Sequence, residues 1–292
     1  MYPDNNWYSH RKILAEYCGI EDRTLLGSIQ HGWVNSLNFD SFLVKRKFNF
    51  YCWNKYLSHY CIEKGFKNII PIGAPFLYLC KLNKNLIKNE GSGTIVFPSH
   101  SNLEDYQKVN HIGLIDVVES RFEGPFKVHF YYTDFTPDNY VEYEKRGWEV
   151  FSSDVRSSNS FSINLLKNLT NSKTVISTDI SSVFFYSLYL NKKVFLVRKD
   201  NNDKDLVYIH RNNILKFTEN YIKKNIQLVN GEMTLEQQKK LASNELGEDF
   251  ILDPLKLKNL LGFGNPIKDI TSKILSKINE IKQGKALKDG FL

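Results

Sequence analysis

The chain has 292 residues, of which 42% are hydrophobic and 24% charged, with a net charge of +7. Those proportions suit a globular protein with a sizeable core, enough for one large or two modest domains. No apolar run approaches the ~20 residues of a membrane-spanning helix, and the opening MYPDNNWYSHRK lacks the apolar stretch of a secretory leader, so a cytoplasmic protein is expected.

In chain order, TLLGSIQ (24–30) predicts a strand ending at His31, and FNFYCW (48–53) a second. KYLSHYCIEKG predicts a helix closed by Gly65, and KNIIPIGAPF a short strand running into a Gly-Ala-Pro turn. Cys18, Cys52, Cys61 and Cys80 form no CxxC pair, and Cys52 and Cys61 stand in apolar, aromatic surroundings. Buried free thiols are expected there rather than zinc or disulfides. LNKNLIKNEGSG (82–93) is polar, ends in glycines, and divides the chain into 1–88 and 89–292.

Beyond it the alternation is regular. The strands are TIVFPSHS, FKVHFYY, WEVFSS, KTVIST and KKVFLVRKD. Between them lie helices over 109–121, TPDNYVEYEKRG, SINLLKNLTNS and DISSVFFYSLYLN. Short apolar strands separated by helices of this length predict parallel sheets in a doubly wound α/β layout. KDNNDKD (199–205) reads as a solvated turn. From Pro254 to Leu292 eight lysines face Asp269, Glu280 and Asp289, while Ile267, Ile270, Ile274, Ile278 and Ile281 recur at helical spacing. An amphipathic helix with a basic face is expected, either packed on the body with its lysines in water or resting on an anionic membrane surface. Nucleic acid is not expected, because no recognition motif accompanies the lysines.

Ligands of open parallel sheets bind at the carboxyl ends of the strands. Three polar clusters fall at such ends: Gln30-His31-Gly32, Ser99-His100-Ser101-Asn102, and Thr178-Asp179-Ile180-Ser181-Ser182. Asp179 or Ser181 can cap the helix that follows, whose free N–H groups and dipole then favour a phosphate. His100, among Ser99, Ser101 and Asn102, is placed to donate to a phosphate or ribose. Gly32 permits close backbone approach, and an imidazole with a pKa near ~6.5 makes His31 a candidate base. Gln30, Trp33 and Asn35 sit beside it on the acceptor side, and Trp33, Trp53 and Tyr78 are candidates to stack on sugar rings. The remaining histidines stand inside helices or strands and read as structural or exposed. No HExxH, P-loop, GxSxG or GxGxxG pattern occurs, nor a DxD-type pair after a strand.

IQHGW, IGAPFLYL, VFPSHS and STDISSVFFYSLYLNKKVFLV together resemble bacterial surface-polysaccharide glycosyltransferases of the GT-B fold, a group that includes CDP-glycerol glycerophosphotransferases and transferases using CMP-linked Kdo or sialic acids. His31-Gly32, Pro98-Ser99 and Thr178-Asp179-Ile180-Ser181-Ser182 are the matching positions; Ile180 replaces an aromatic residue, and Lys193 stands where proline is commoner. The resemblance spans roughly Thr24 to Val197. It implies two Rossmann-like domains, the first abbreviated, and transfer from a cytidine-linked nucleotide-sugar donor without a metal or bound cofactor. Ser181 and Ser182 would hold the donor phosphate, His100 would contact nucleotide or phosphate, and His31 would act as base or acceptor-side ligand toward a glycan or lipid-linked acceptor at the inner face of the membrane. A non-catalytic glycan- or partner-binding module on the same fold is the alternative, with an epimerase or hydrolase as a weaker third. Oligomeric state leaves no signal in the sequence.

Overall fold

The computed structural model describes residues 3–21, 23–33, 49–63, 65–88, 90–99, 109–197 and 234–263. Its strands form two all-parallel sheets. The smaller has the order β1-β2-β3, from Ser28–Ile29, Phe50–Cys52 and Ile69–Pro71. The larger has the order β6-β5-β4-β7-β8, from Thr94–Phe97 (β4), Phe126–Phe130 (β5), Glu149–Ser152 (β6), Thr174–Ser177 (β7) and Lys193–Leu196 (β8). All strands before the expected boundary at 88/89 lie in the smaller sheet, and all after it in the larger.

The central strands β4 and β7 are buried at all four positions, as continuous apolar runs covered on both faces should be. The helices of this half are His111–Arg121 (α4), Pro137–Lys145 (α5), Phe161–Asn171 (α6) and Ser182–Tyr189 (α7). Asn110 caps α4 through its side chain, and Pro137 opens α5 at a position where its missing N–H costs nothing. One apolar cluster joins α4 and α5 to the sheet through Leu114, Val118, Val128, Phe130 and Trp148. On the other face, α6 and α7 belong to a larger cluster that continues into the smaller sheet. There Phe76 stacks on Tyr186 with centroids 3.8 Å apart.

The smaller half contains helices His10–Tyr17 (α1), Lys55–Glu63 (α2) and Pro75–Leu82 (α3). Neither α1 nor α3 was anticipated as a helix. Residues 75–80 of α3 are all buried, so it shows no polar face to mark its period. Two further helices follow: Leu235–Leu246 (α8) packs along α7 and reaches the smaller half with its C-terminal end, and Pro254–Leu261 (α9) packs on α1. Thr234 and Gln237 make a reciprocal capping box on α8, and Asp253 caps α9. Gly247, left-handed at φ 72, lies so close that an added Cβ would be 1.9 Å from the Trp53 carbonyl oxygen. Alongside, Ala74 N–H donates to Leu246 O, Asn54 Nδ2 to Glu245 O, and the Tyr51 hydroxyl to Leu260 O.

All four cysteines are free and buried, as expected, and burial pushes the Cys52 and Cys61 thiols up to about 12. The expected linker is pinned rather than loose: Ser92 N–H donates to Asn171 O, and the buried Lys192 ammonium donates to Lys88 O and Thr170 O. Among the described residues no helix is long and apolar enough to cross a membrane. The expected helix over 267–281 and the 199–205 turn lie outside the described residues.

Candidate functional site

Strands β4, β5 and β6 run outward in one direction across the larger sheet, while β7 and β8 run outward in the other. The chain order therefore switches between β4 and β7, where doubly wound sheets open a ligand crevice at the strands' carboxyl ends. Two of the expected clusters leave the sheet at this point. Ser99 N–H donates to Thr178 Oγ1 at 2.8 Å, and the two hydroxyls are 2.9 Å apart, so the exits of β4 and β7 are tied together. Thr178 is buried and committed to this tie. Asp179 accepts from the N–H of Ile180 at 2.8 Å instead of capping the helix. Ser181 occupies the N-cap position of α7 in extended conformation but makes no side-chain cap, contrary to expectation. The first turn of α7 thus keeps donors that a capping side chain would have taken.

The third cluster reaches the same place from the other sheet. Trp33 N–H donates to the Ser182 hydroxyl at 2.8 Å, across 149 positions of sequence. A Cβ built on Gly32 would lie 3.5 Å from that hydroxyl. His31, exposed, heads this loop. Gln30 does not: it is 5% exposed, its Oε1 accepting from Trp53 N–H and its Nε2 donating to Gly32 O. A side chain committed at both ends braces the loop that presents His31, so the expected acceptor-side role for Gln30 gives way to a structural one. Trp33 packs its ring on Phe185 and donates its indole N–H to Glu245 Oε2 at 2.8 Å, tying the same loop to α8. Trp53 and Tyr78 have no exposed surface and cannot stack on a sugar. His100, Ser101, Asn102 and Asn35 lie outside the described residues.

No motif foreshadows what flanks His31 on its other side. Residues 3–9 form an irregular 3-10 segment that is non-helical at Trp7 and Tyr8. The Asn5 side chain bonds Gly27 O and Ile29 N–H, both at 2.8 Å, standing in for a missing neighbour strand beside β1. The segment then crosses to the larger sheet, where Tyr8 N–H donates to Arg156 O at 2.6 Å and Ser9 Oγ to Ser158 O at 2.9 Å. Trp7 meets the His31 ring edge-on with centroids 4.9 Å apart. Behind it, His10 is buried, its Nδ1 lacks a hydrogen-bond partner, and its pKa falls to about 3 through burial and then the charge of His31. A ring so placed stays neutral at physiological pH. Among the described residues no three His, Cys, Asp or Glu side chains converge as metal ligands would.

No family model matches the sequence, and no curated protein does either. Among solved structures, the chain is similar to a glycosyltransferase from Rickettsia africae ESF-5 at 14% identity and TM-score 0.35, over 80% of this chain and 68% of that one. It is also similar to a variant of the wall teichoic acid polymerase TagF at 14% identity and TM-score 0.38, over 77% of this chain, which spans 59% of TagF. A third is Phytolacca americana UGT2, at 11% identity and TM-score 0.30, over 80% of this chain and 52% of that one. Overlaps this loose leave the function to be argued from the chain's own residues.

Proposed function

We propose that this protein is a glycosyltransferase that moves a sugar from a nucleotide-activated donor, cytidine-linked as the motif resemblance implies, onto a surface glycan or its lipid-linked precursor. The observation that carries the proposal is the hydrogen bond from Trp33 N–H to Ser182 Oγ, which brings an exposed imidazole from one sheet to the uncapped helix start at the switch point of the other. A base and a phosphate site on facing elements are what glycosyl transfer requires. In this scheme His31 takes the proton of an acceptor hydroxyl as its oxygen attacks the anomeric carbon. The bond from that carbon to the phosphate oxygen breaks, and the electron pair leaves with the nucleotide. The N–H groups of the first turn of α7 and the Ser181 hydroxyl offset the charge that builds there. Ser182 can assist by donating its proton while accepting from Trp33.

Thermal denaturation with CMP, CDP, UDP and GDP tests the donor half. A nucleotide at ~100 times its dissociation constant should stabilise by about 2.7 kcal/mol, and no response to any of the four would refute a nucleotide site. The base is tested by His31→Ala, expected to lose ~10²–10⁴-fold in transfer with an unchanged melting temperature, since the ring is exposed. Full turnover in that variant would remove His31 from the mechanism. Transfer is expected to persist in EDTA.

A further inference from the structure

We propose that Arg156, stacked on the ring of Trp7 beside His31, forms a second oxyanion subsite that holds a carboxylate or phosphate of the acceptor. It depends on the transferase reading for which substrate it serves, though not for its geometry. The Arg156 guanidinium carbon lies 3.7 Å from the centroid of the Trp7 ring, and the same indole meets His31 at 4.9 Å. Cation, indole and imidazole thus lie side by side.

Stacking covers a face of the guanidinium while leaving its N–H donors in the plane, directed outward in the fork that suits a two-oxygen anion. No carboxylate among the described residues pairs with it. The contrast is Arg146, on the far face of the same sheet, which is paired with both Asp116 and Glu119. Asp154, only two residues from Arg156, is turned elsewhere: hydrogen bonds from the Ser158 hydroxyl, from Val155 N–H at 2.7 Å and from the Ser160 hydroxyl hold its carboxyl below the usual carboxylate range. A stacked, partly exposed cation with no carboxylate partner among the described residues is suited to an external anion.

The backbone supports the same conclusion. Tyr8 and Ser9 are consecutive non-glycine residues in the left-handed region, at φ 56 and 62. Such conformations are costly and persist where surrounding structure enforces them, often at ligand sites. Here the enforcement comes from Tyr8 N–H to Arg156 O, Ser9 Oγ to Ser158 O, and the Ser162 hydroxyl to Tyr8 O. Their joint effect is to hold the indole between the two basic side chains. An acceptor anchored by its acid group on Arg156 would lay a neighbouring hydroxyl against His31.

Isothermal titration of the full chain with methyl glucuronide, glucose 6-phosphate and methyl glucoside tests this. At least one anionic probe should bind tenfold or more tightly than the neutral glucoside, and which one does so separates carboxylate from phosphate. Arg156→Gln should abolish that preference, with CMP or CDP binding unchanged. Arg156→Lys, which keeps charge without the fork, should retain part of it and serves if the glutamine variant fails to fold. Equal affinity for all three probes, or an anion preference that survives Arg156→Gln, would overturn the subsite. Anion binding through Arg156 without any nucleotide binding would uphold the subsite and refute the transferase; the reverse pattern would refute the subsite alone.

Discussion

The two sheets are stabilised in different ways. The larger takes its strands and helices from one continuous stretch, 94–196, and its central strands are buried along their length. The smaller has strands of two or three residues and is completed from both ends of the described chain. Asn5 finishes the edge of β1, and the turn after α8 closes on Trp53. The half that presents His31 therefore depends on contacts of very high sequence separation, whereas the half that holds Ser181 is local. Gly247→Ala should break this asymmetry most sharply. A left-handed alanine colliding with the Trp53 carbonyl must push α8 away and lose the bonds at Ala74 and Asn54. A loss of about 4 kcal/mol or more is expected, read as a lowered urea midpoint in tryptophan fluorescence. An unchanged midpoint would mean that α8 does not hold the smaller sheet.

Each half also buries one neutral histidine. Burial lowers His10 to about 3 in the smaller half, and His129, with its Nε2 2.6 Å from the Ser153 hydroxyl, to about 4 in the larger. In the unfolded chain both titrate near ~6.5. Between about pH 4 and 6.5 the unfolded chain therefore binds two protons that the native state excludes. Stability should be complete above this window and fall as pH drops through it, by up to about 2.7 kcal/mol per pH unit. His129→Gln should halve that slope, leaving the contribution of the smaller half. A slope indifferent to the substitution would show that His129 takes up its proton in the folded state.

How much was legible in the sequence follows the same division. From 94 to 196 every expected strand and helix is present within a few residues, because strand-to-helix alternation is a local pattern and Gly147 and Pro137 punctuate it. In the smaller half α3 carries no helical period, since its residues Pro75 to Cys80 are all buried. By contrast, α8 and α9 announced themselves through Thr234-x-x-Gln237 and Asp253-Pro254, signals present but unused. For the site, the clusters at 30–32 and 178–182 were legible as polar residues at strand ends. What each side chain does was not. Gln30 and Trp33 read as ligand contacts but spend their polar groups on Trp53, Gly32 and Glu245. Trp7 and Arg156 gave no signal, because nothing local ties residues 149 positions apart.

The hydrogen bond between the halves separates two adjacent serines. Ser182→Ala leaves Trp33 N–H without its acceptor, which should cost about 1 kcal/mol and weaken nucleotide binding as well. Ser181→Ala touches no such bond, so it should affect nucleotide binding alone. Equal melting temperatures for the two variants would mean that the link at Ser182 does not hold the His31 loop to α7.

Gly32→Ala should barely affect folding, and that makes it the sharpest probe of the crevice. Two glycines precede or enter the loop, and they differ. At Gly27 the backbone is at φ 120, and a Cβ would sit 2.4 Å from Asn49 O, so any side chain there strains the strand itself. At Gly32 the backbone is not left-handed, and the nearest atom to an added Cβ is the Ser182 hydroxyl at 3.5 Å, an ordinary contact. The folded chain alone therefore gives no steric reason for glycine at position 32. Gly32→Ala should shift stability by no more than about 0.5 kcal/mol, while the added methyl, lying over the hydroxyl at the start of α7, should weaken nucleotide binding several-fold. Binding as tight as in the unmodified chain would place the phosphate away from Ser182 and leave the two halves joined for structural reasons only.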